Sequence, residues 1–261
     1  MLMPQKGHMS TEGRTAIVTG ASRGIGRAIA SGLAEDGFRL VINYRERGRE
    51  AQELVEAISR GGCEVRAVRA DVGTAGAAEK LVKAALDAFG QIDVLVNNAG
   101  THLPGVGFAD VRAEDWERIL RVNLTGPFSL IQSVLPHMRT RRSGVIVNIS
   151  SNVTQRFPAM HGPYTVSKCG LEAVTRILAK EEGANGIRVN AIAPGPIATD
   201  MLQESLEIMG TERAESFIRS VPLQRLGRPE EIANAVRFLV SEAASYVTGQ
   251  VIFVNGGGPA G

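Results

Sequence analysis

Tyr164 and Lys168, four positions apart in "YTVSKCG" (164–170), are residue types that together can move a proton. A free phenol titrates near about 10 and is almost fully protonated at neutral pH. An ammonium beside it favours phenolate and brings the group within reach as an acid or a base. On a helix, positions i and i+4 share one face, so this spacing serves that chemistry. The pair alone is a common arrangement, since a boundary tyrosine beside a solvated lysine reads the same way. Its meaning depends on what the rest of the chain places around it.

A second chemical signal lies near the N-terminus. "TGASRGIG" (19–26) sets Gly20, Gly24 and Gly26 between a short apolar run and a helical pattern. Glycines at such a turn let the backbone approach a pyrophosphate and aim it at free N–H groups of the next helix. Their G-x-x-x-G-x-G spacing points to a variant of the dinucleotide site. The next apolar run ends "VINYRERGR", so Asn43, Tyr44 and Arg45 stand where an NAD site places an acid for the ribose hydroxyls, and no acid comes before Glu46. Arg23, inside the glycine turn, is a second cation. A guanidinium fork suits a ribose 2′-phosphate, which favours NADP(H) over NAD(H).

The elements that would position these residues alternate along the chain. "TAIVTG" (15–20), "FRLVINY" (38–44), "CEVRAVRAD" (63–71), "IDVLVNNAG" (92–100), "GVIVNISS" (144–151), "IRVNAIAPG" (187–195) and "QVIFVNGG" (250–257) read as strands. Their nearly continuous apolar character implies burial on both faces, as in a parallel sheet. Helical windows between them, such as 24–37, 77–90 and 170–183, each close on a glycine. The expected fold is a single-domain, Rossmann-type, doubly wound seven-stranded parallel sheet with helices on both faces, covering residues 12–261 after a loose tail at 1–11. The long connection at 196–228 follows a strand's C-terminal end and is expected to cover a ligand crevice as a lid.

Composition narrows the classes of function. The 261 residues carry a formal charge of +2, and the one dense basic cluster, "RTRR" (139–142), follows an apolar helical stretch where cations suit the helix end. Nucleic acid is therefore not an expected partner. Cys63 and Cys169 have no metal or disulfide spacing, and the four histidines are scattered. No metal is expected. No run reaches the length of a signal peptide core or a membrane span, so the expectation is a cytoplasmic protein without membrane partners.

"TGASRGIG", "NNAG" (97–100), Ser151 thirteen residues before the tyrosine, "YTVSK" and "PGPIATDM" (194–201) occur in one order. Together they resemble the short-chain dehydrogenase/reductase family from about residue 12 to 258, most of all its 3-oxoacyl-[acyl-carrier-protein] reductase-like members. The resemblance implies that Tyr164 protonates a carbonyl being reduced, or takes a proton from an alcohol being oxidised. Lys168 would lower its pKa and hold the nicotinamide ribose, and Ser151 rather than Ser150 would polarise the substrate oxygen. Asn123, in "RVNLTG", would position a water in the proton relay. The cofactor would lie against Gly20, Ser22, Arg23, Gly24, Ile25 and Gly26, then Tyr44 and Arg45. Asp71 and Val72 would meet the adenine, and the turn of Asn97, Ala99 and Gly100 would pass close to the adenosine ribose while bracing the sheet. Pro194, Gly195, Ile197 and Thr199 would fix the nicotinamide face and the diphosphate.

For the substrate, the resemblance implies a β-ketoacyl thioester reduced with NADPH, with an acyl carrier protein as a possible partner. Arg142 is then the basic residue expected at the crevice mouth, and Asn185 stands where a second cation is expected. A free ketone, sugar or polyol is the alternative, in a pocket lined by 101–105, 155–162 and the segment after Pro196, with His102 and His161 as candidate contacts. A dinucleotide-sensing protein without turnover is a third reading, against which the Ser151–Tyr164–Lys168 set speaks. A methyltransferase on a similar sheet would give no reason for "YTVSK". The apolar helices at 113–137 and 163–182 and the C-terminal strand would, by the resemblance, build a homotetramer or homodimer.

Overall fold

A computed structural model describes residues 13–258; the expected tail at 1–11 lies outside the described residues. Seven parallel strands form one sheet: β1 (Thr15–Val18), β2 (Arg39–Tyr44), β3 (Val65–Arg69), β4 (Val94–Asn97), β5 (Gly144–Ile149), β6 (Ile187–Pro194) and β7 (Val251–Val254). Their order is β3-β2-β1-β4-β5-β6-β7, so the winding direction reverses between β1 and β4. A crevice opens at the C-terminal ends of strands at such a reversal.

Alternation along each strand explains the continuous apolar runs. Ala16, Val18, Leu40, Ile42, Val94, Val96, Val145 and Val147 point into one core cluster, while Ile17, Val41, Leu95 and Ile146 point into the other. Neither face of these central strands meets water, so both positions of the two-residue period are mostly apolar. Helices α1 (Gly24–Glu35), α2 (Gly48–Arg60) and α10 (Pro229–Val240) cover the first cluster. Helices α3 (Ala77–Phe89) and α5 (Gly126–Arg141) and the long α7 (Gly162–Glu182) cover the second. The α1 and α10 ends are joined by Arg237, whose Nε donates to Asp36 Oδ2 at 2.8 Å.

The helix read over 113–137 is three pieces. α4 (Ala113–Leu120) passes into a wide turn at Arg121–Thr125 with i→i+5 spacing before α5 begins. Gly126 explains the join: an added Cβ there would stand 2.6 Å from the Val72 carbonyl oxygen. Gly183, expected to end α7, keeps a helical φ of −55°, and the chain reverses only at Gly186, with φ +72°.

The basic cluster is consumed by structural partners. Arg139 pairs with the buried Glu182, Arg141 with Asp93 at 2.8 Å, and Arg142 donates to the Ala184 carbonyl at 2.8 Å. This corrects the expectation for Arg142. It precedes β5, and Asn185 precedes β6, so both lie at the strands' N-terminal ends, opposite the crevice. Among the described residues no helix is long and apolar enough to cross a membrane.

Candidate active site

One cavity of about 750 Å³ runs along the C-terminal ends of the central strands. Its first wall is the turn between β1 and α1. Gly20 has φ +64°, and an added Cβ would lie 2.9 Å from Ala99 Cα; one on Gly26 would collide with Gly20 O and Asn98 Nδ2. Asn43 fixes this turn from β2, accepting from Gly20 N at 3.3 Å and donating to Ala70 O at 2.9 Å. No side chain caps the start of α1, so its first N–H groups stay open to an anion. Ser22, Arg23, Gly24 and Ile25 complete this wall.

Guanidinium groups gather at the end of β2. Arg45 reaches Glu46 at 2.8 Å and Asp71 at 3.7 Å. Arg23 and Arg47 both lie on Asp200, the latter at 3.4 Å. Asp200 opens α8 (Asp200–Met209), so one exposed carboxylate bridges the glycine turn, the β2 end and the covering segment. Arg47 is absent from the sequence reading. Its signal was its place as the second arginine of "RER", in a left-handed conformation with φ +59° just before α2.

Tyr44, Asp71, Val72, Ala99 and Gly100 line the cavity as expected, but Asn97 does not. Asn97 is buried and donates to Asn148 Oδ1 at 2.9 Å, bracing β4 against β5. The next residue, Asn98, lines the cavity instead and donates to Thr19 O at 2.8 Å. Successive strand residues face opposite ways, which is why the neighbour reaches the wall.

Ser151, Tyr164 and Lys168 meet on the wall formed by the end of β5 and the first turns of α7. Ser150 is excluded as the polarising hydroxyl, because it donates to the buried Glu172 at 2.8 Å. The half-buried Tyr164 phenol shares a hydrogen bond with Ser151, and its ring stands edge-on to His102 with centroids 6.4 Å apart. Lys168 Nζ lies 5.6 Å from the Tyr164 ring centroid and donates to Ile149 O at 2.7 Å. Burial pushes the phenol pKa up, the Ser151 bond offsetting part of the rise, and lowers the Lys168 ammonium to about 8. The expected lowering of the phenol is therefore not the dominant effect here. Desolvation disfavours phenolate, and the ammonium is directed at a carbonyl rather than at the phenol oxygen.

Asn123 stands behind the wall. It is fully buried in the wide turn, accepts from Thr101 N at 2.8 Å and donates to Thr101 O at 2.8 Å and Ser167 Oγ at 3.0 Å. Its side chain does not line the cavity; it ties the segment after β4 to α7.

The last wall follows β6. Pro194, Gly195, Ile197 and Thr199 line the cavity, with Gly195 pressed against Asn255. Thr199 caps α8 by accepting from Leu202 N at 3.4 Å. Ile197 and Gly227 form a parallel bridge, with Ala198 N donating to Gly227 O at 2.8 Å and Gly227 N to Pro196 O at 2.9 Å. Between them α8 and α9 (Thr211–Arg219) fold over the cavity.

A family model described as enoyl-(acyl carrier protein) reductase matches residues 20–258. A 3-oxoacyl-[acyl-carrier-protein] reductase of Staphylococcus aureus is 39% identical over 244 residues, 94% of this chain and 97% of that protein. The chain belongs to the short-chain dehydrogenase/reductase family. It is an oxidoreductase, and the family binds a nicotinamide dinucleotide. Glucose 1-dehydrogenase 2 of Bacillus subtilis is 40% identical over 247 residues, 94% of each chain. A levodione reductase structure superposes with a TM-score of 0.91 at 34% identity, covering 94% of this chain and 97% of that one. A blue fluorescent protein from a metagenomic library in complex with NADPH superposes with a TM-score of 0.87 at 35% identity, covering 97% and 100%.

The residues present fit the dinucleotide of this dehydrogenase/reductase family. The hollow at Gly20, Gly24 and Gly26 is one that side chains would fill, and the open start of α1 faces it. At the far end of the cavity, beyond Ser151 and Tyr164, stand His102, Arg156, His161 and Phe217. His102 Nε2 lies 3.2 Å from Ser205 Oγ, and burial lowers its pKa, which keeps it neutral at neutral pH. His161 turns Nδ1 to Ala159 O at 3.1 Å.

Proposed function

We propose that this enzyme reduces a carbonyl with NADPH, and that its substrate is a β-ketoacyl thioester, as the name of the Staphylococcus aureus relative suggests. The observation that carries the reading is one cavity with Ser151, Tyr164 and Lys168 on one wall and Arg23, Arg45 and Arg47 at the end of β2. The glycine turn and the N-terminus of α1 would hold the pyrophosphate, the arginines a 2′-phosphate, and Lys168 the ribose beside the nicotinamide. When bound, NADPH supplies the hydride that the protein lacks. Ser151 donates to the substrate oxygen as negative charge develops there, and Tyr164 then delivers its proton to that oxygen. A phenol held protonated by burial suits that direction. Lys168 stabilises the phenolate left behind until solvent restores the proton.

A second reading, a free ketone, sugar or polyol substrate, is favoured by Arg142 and Asn185. Both sit at the wrong end of the sheet to receive an acidic carrier protein. The glucose dehydrogenase and levodione reductase relatives fit this reading. The test is the initial rate of NADPH oxidation with acetoacetyl thioesters, repeated with NADH and with a panel of free ketones and polyols. NADPH-selective turnover of the thioester supports the first reading; turnover of free ketones alone moves the assignment to the second. Absence of turnover with all of them returns a dinucleotide-sensing protein. We also place the enzyme in a homotetramer or homodimer. The partly exposed Phe128 on α5 and Val166 and Ile177 on α7, and the half-buried β7, give apolar surface for such contacts. Sedimentation as a monomer at micromolar concentration overturns this.

A further inference from the structure

Four arginines line the cavity among the described residues: Arg23, Arg45, Arg47 and Arg156. The first three each lie on a carboxylate. Arg156 has none. It ends the short helix α6 (Val153–Arg156), five residues after Ser151 and eight before Tyr164. Its Nε is buried without a hydrogen-bond acceptor, and its guanidinium lies 5.7 Å from the Phe217 ring centroid on α9. Burial lowers its pKa with no neighbouring charge opposing the shift. Glu204 lines the same end of the cavity but is exposed, stands 4.0 Å from His102 and makes no ion pair with Arg156.

A guanidinium cannot shed its charge to escape desolvation, so it needs acceptors. The dinucleotide's phosphates are accounted for at the other end of the cavity, by the glycine turn and the β2 arginines. The group that binds at this end of the cavity is the substrate, and it can bring the acceptor that the half-buried Arg156 lacks at Nε. Resting on the reductase reading, we propose that the substrate carries an oxyanion group, a carboxylate or a phosphate ester, which Arg156 receives on the side of Ser151 and Tyr164 away from the cofactor's phosphates. This excludes neutral ketones and polyols as preferred substrates. It leaves two sources of the same chemistry, the carboxylate of a free oxo acid and the phosphate of a coenzyme A or 4′-phosphopantetheine thioester.

The test compares charged and neutral partners of matched reach in the wild type, Arg156→Gln and Arg156→Lys. One pair is acetoacetate and methyl acetoacetate; the other is acetoacetyl-4′-phosphopantetheine and acetoacetyl-pantetheine. Loss of one charge-assisted interaction lowers the charged-to-neutral ratio of kcat/KM by about 10- to 100-fold in Arg156→Gln, mainly through KM, and Arg156→Lys recovers part of it. The pair that shows the drop identifies the source. A merely structural prop for Phe217 lowers both members of a pair together, and that result overturns the proposal. So does a wild type without charge preference in either pair while it still turns substrates over. If the wild type reduces nothing, the reductase reading fails separately, and calorimetric titration with 3-hydroxybutyrate and its methyl ester decides. Carboxylate binding lost in Arg156→Gln sustains the inference, and equal binding overturns it.

Discussion

Replacing Lys168 with methionine should abolish turnover yet make the fold more stable at neutral pH. The side chain is buried, with 4% exposure, and its one recorded hydrogen bond goes to Ile149 O. Its pKa falls from 10.5 to about 8, so the folded state holds the ammonium at a penalty of about 3 kcal/mol at pH 7. Methionine removes that penalty but strands the Ile149 carbonyl, which costs about 1–3 kcal/mol. The net gain at pH 7 is then small, and the pH dependence is the sharper readout. Because the folded pKa lies below the unfolded one, the unfolded chain binds more protons between the two values, and wild-type stability rises with pH there. Between pH 7 and 9.5 the wild type should gain about 2 kcal/mol on Lys168→Met. Urea unfolding of both proteins at equal concentration and without cofactor measures this, and other titrating groups cancel in the difference. Parallel stability curves would show that Lys168 is solvated as an ammonium and would refute the reasoning.

Tyr164→Phe should lower kcat by about 100- to 10,000-fold while NADPH binding, followed by fluorescence titration, stays nearly intact; near-normal turnover rejects Tyr164 as the proton donor. Asp200→Asn removes the carboxylate that competes for Arg23 and Arg47, so NADPH should bind about 2- to 5-fold tighter and NADH should not. Equal changes for both cofactors would place the 2′-phosphate elsewhere. Gly26→Ala drives a methyl group into Gly20 O and Asn98 Nδ2, so both cofactor affinity and melting temperature should fall. A variant with unchanged affinity would mean that the turn has room to open.

Backbone-determined features were legible in the sequence. The glycines of 19–26 announce a turn that no side chain can enter, and the apolar strands announce a sheet buried on both faces. The Ser151, Tyr164 and Lys168 spacing carried over because one strand end and one helix set all three positions. Features decided by neighbours distant in sequence were not legible. Nothing local shows that Asn97 would serve Asn148 while Asn98 serves the glycine turn, since either residue can donate. Arg142 reads as a free surface cation until the chain is folded and Ala184 supplies its acceptor. Arg156 is the opposite case: it falls within the 155–162 stretch read as pocket lining, and only the packed structure shows that no carboxylate meets it. The direction of the Tyr164 shift was hidden for the same reason, because burial is a property of the whole cavity.

The bridge at Ile197 and Gly227, in which Gly227 bonds to Pro196 and Ala198, makes the ends of the α8–α9 excursion neighbours. The segment is thus pinned at its base, and it meets the rest of the protein again where Asp200 pairs with Arg23 and Arg47, Ser205 meets His102 and Phe217 packs on Arg156. Loop-closure entropy grows only slowly with length, so lengthening the turn at Gly210, where a Cβ would meet nothing within 4 Å, costs little so long as the base and those contacts survive. Ser151, Tyr164 and Lys168 all lie outside the segment. The enzyme is built as a fixed chemical bench with an adjustable hood, in which substrate range can be recut without disturbing the residues that move the proton.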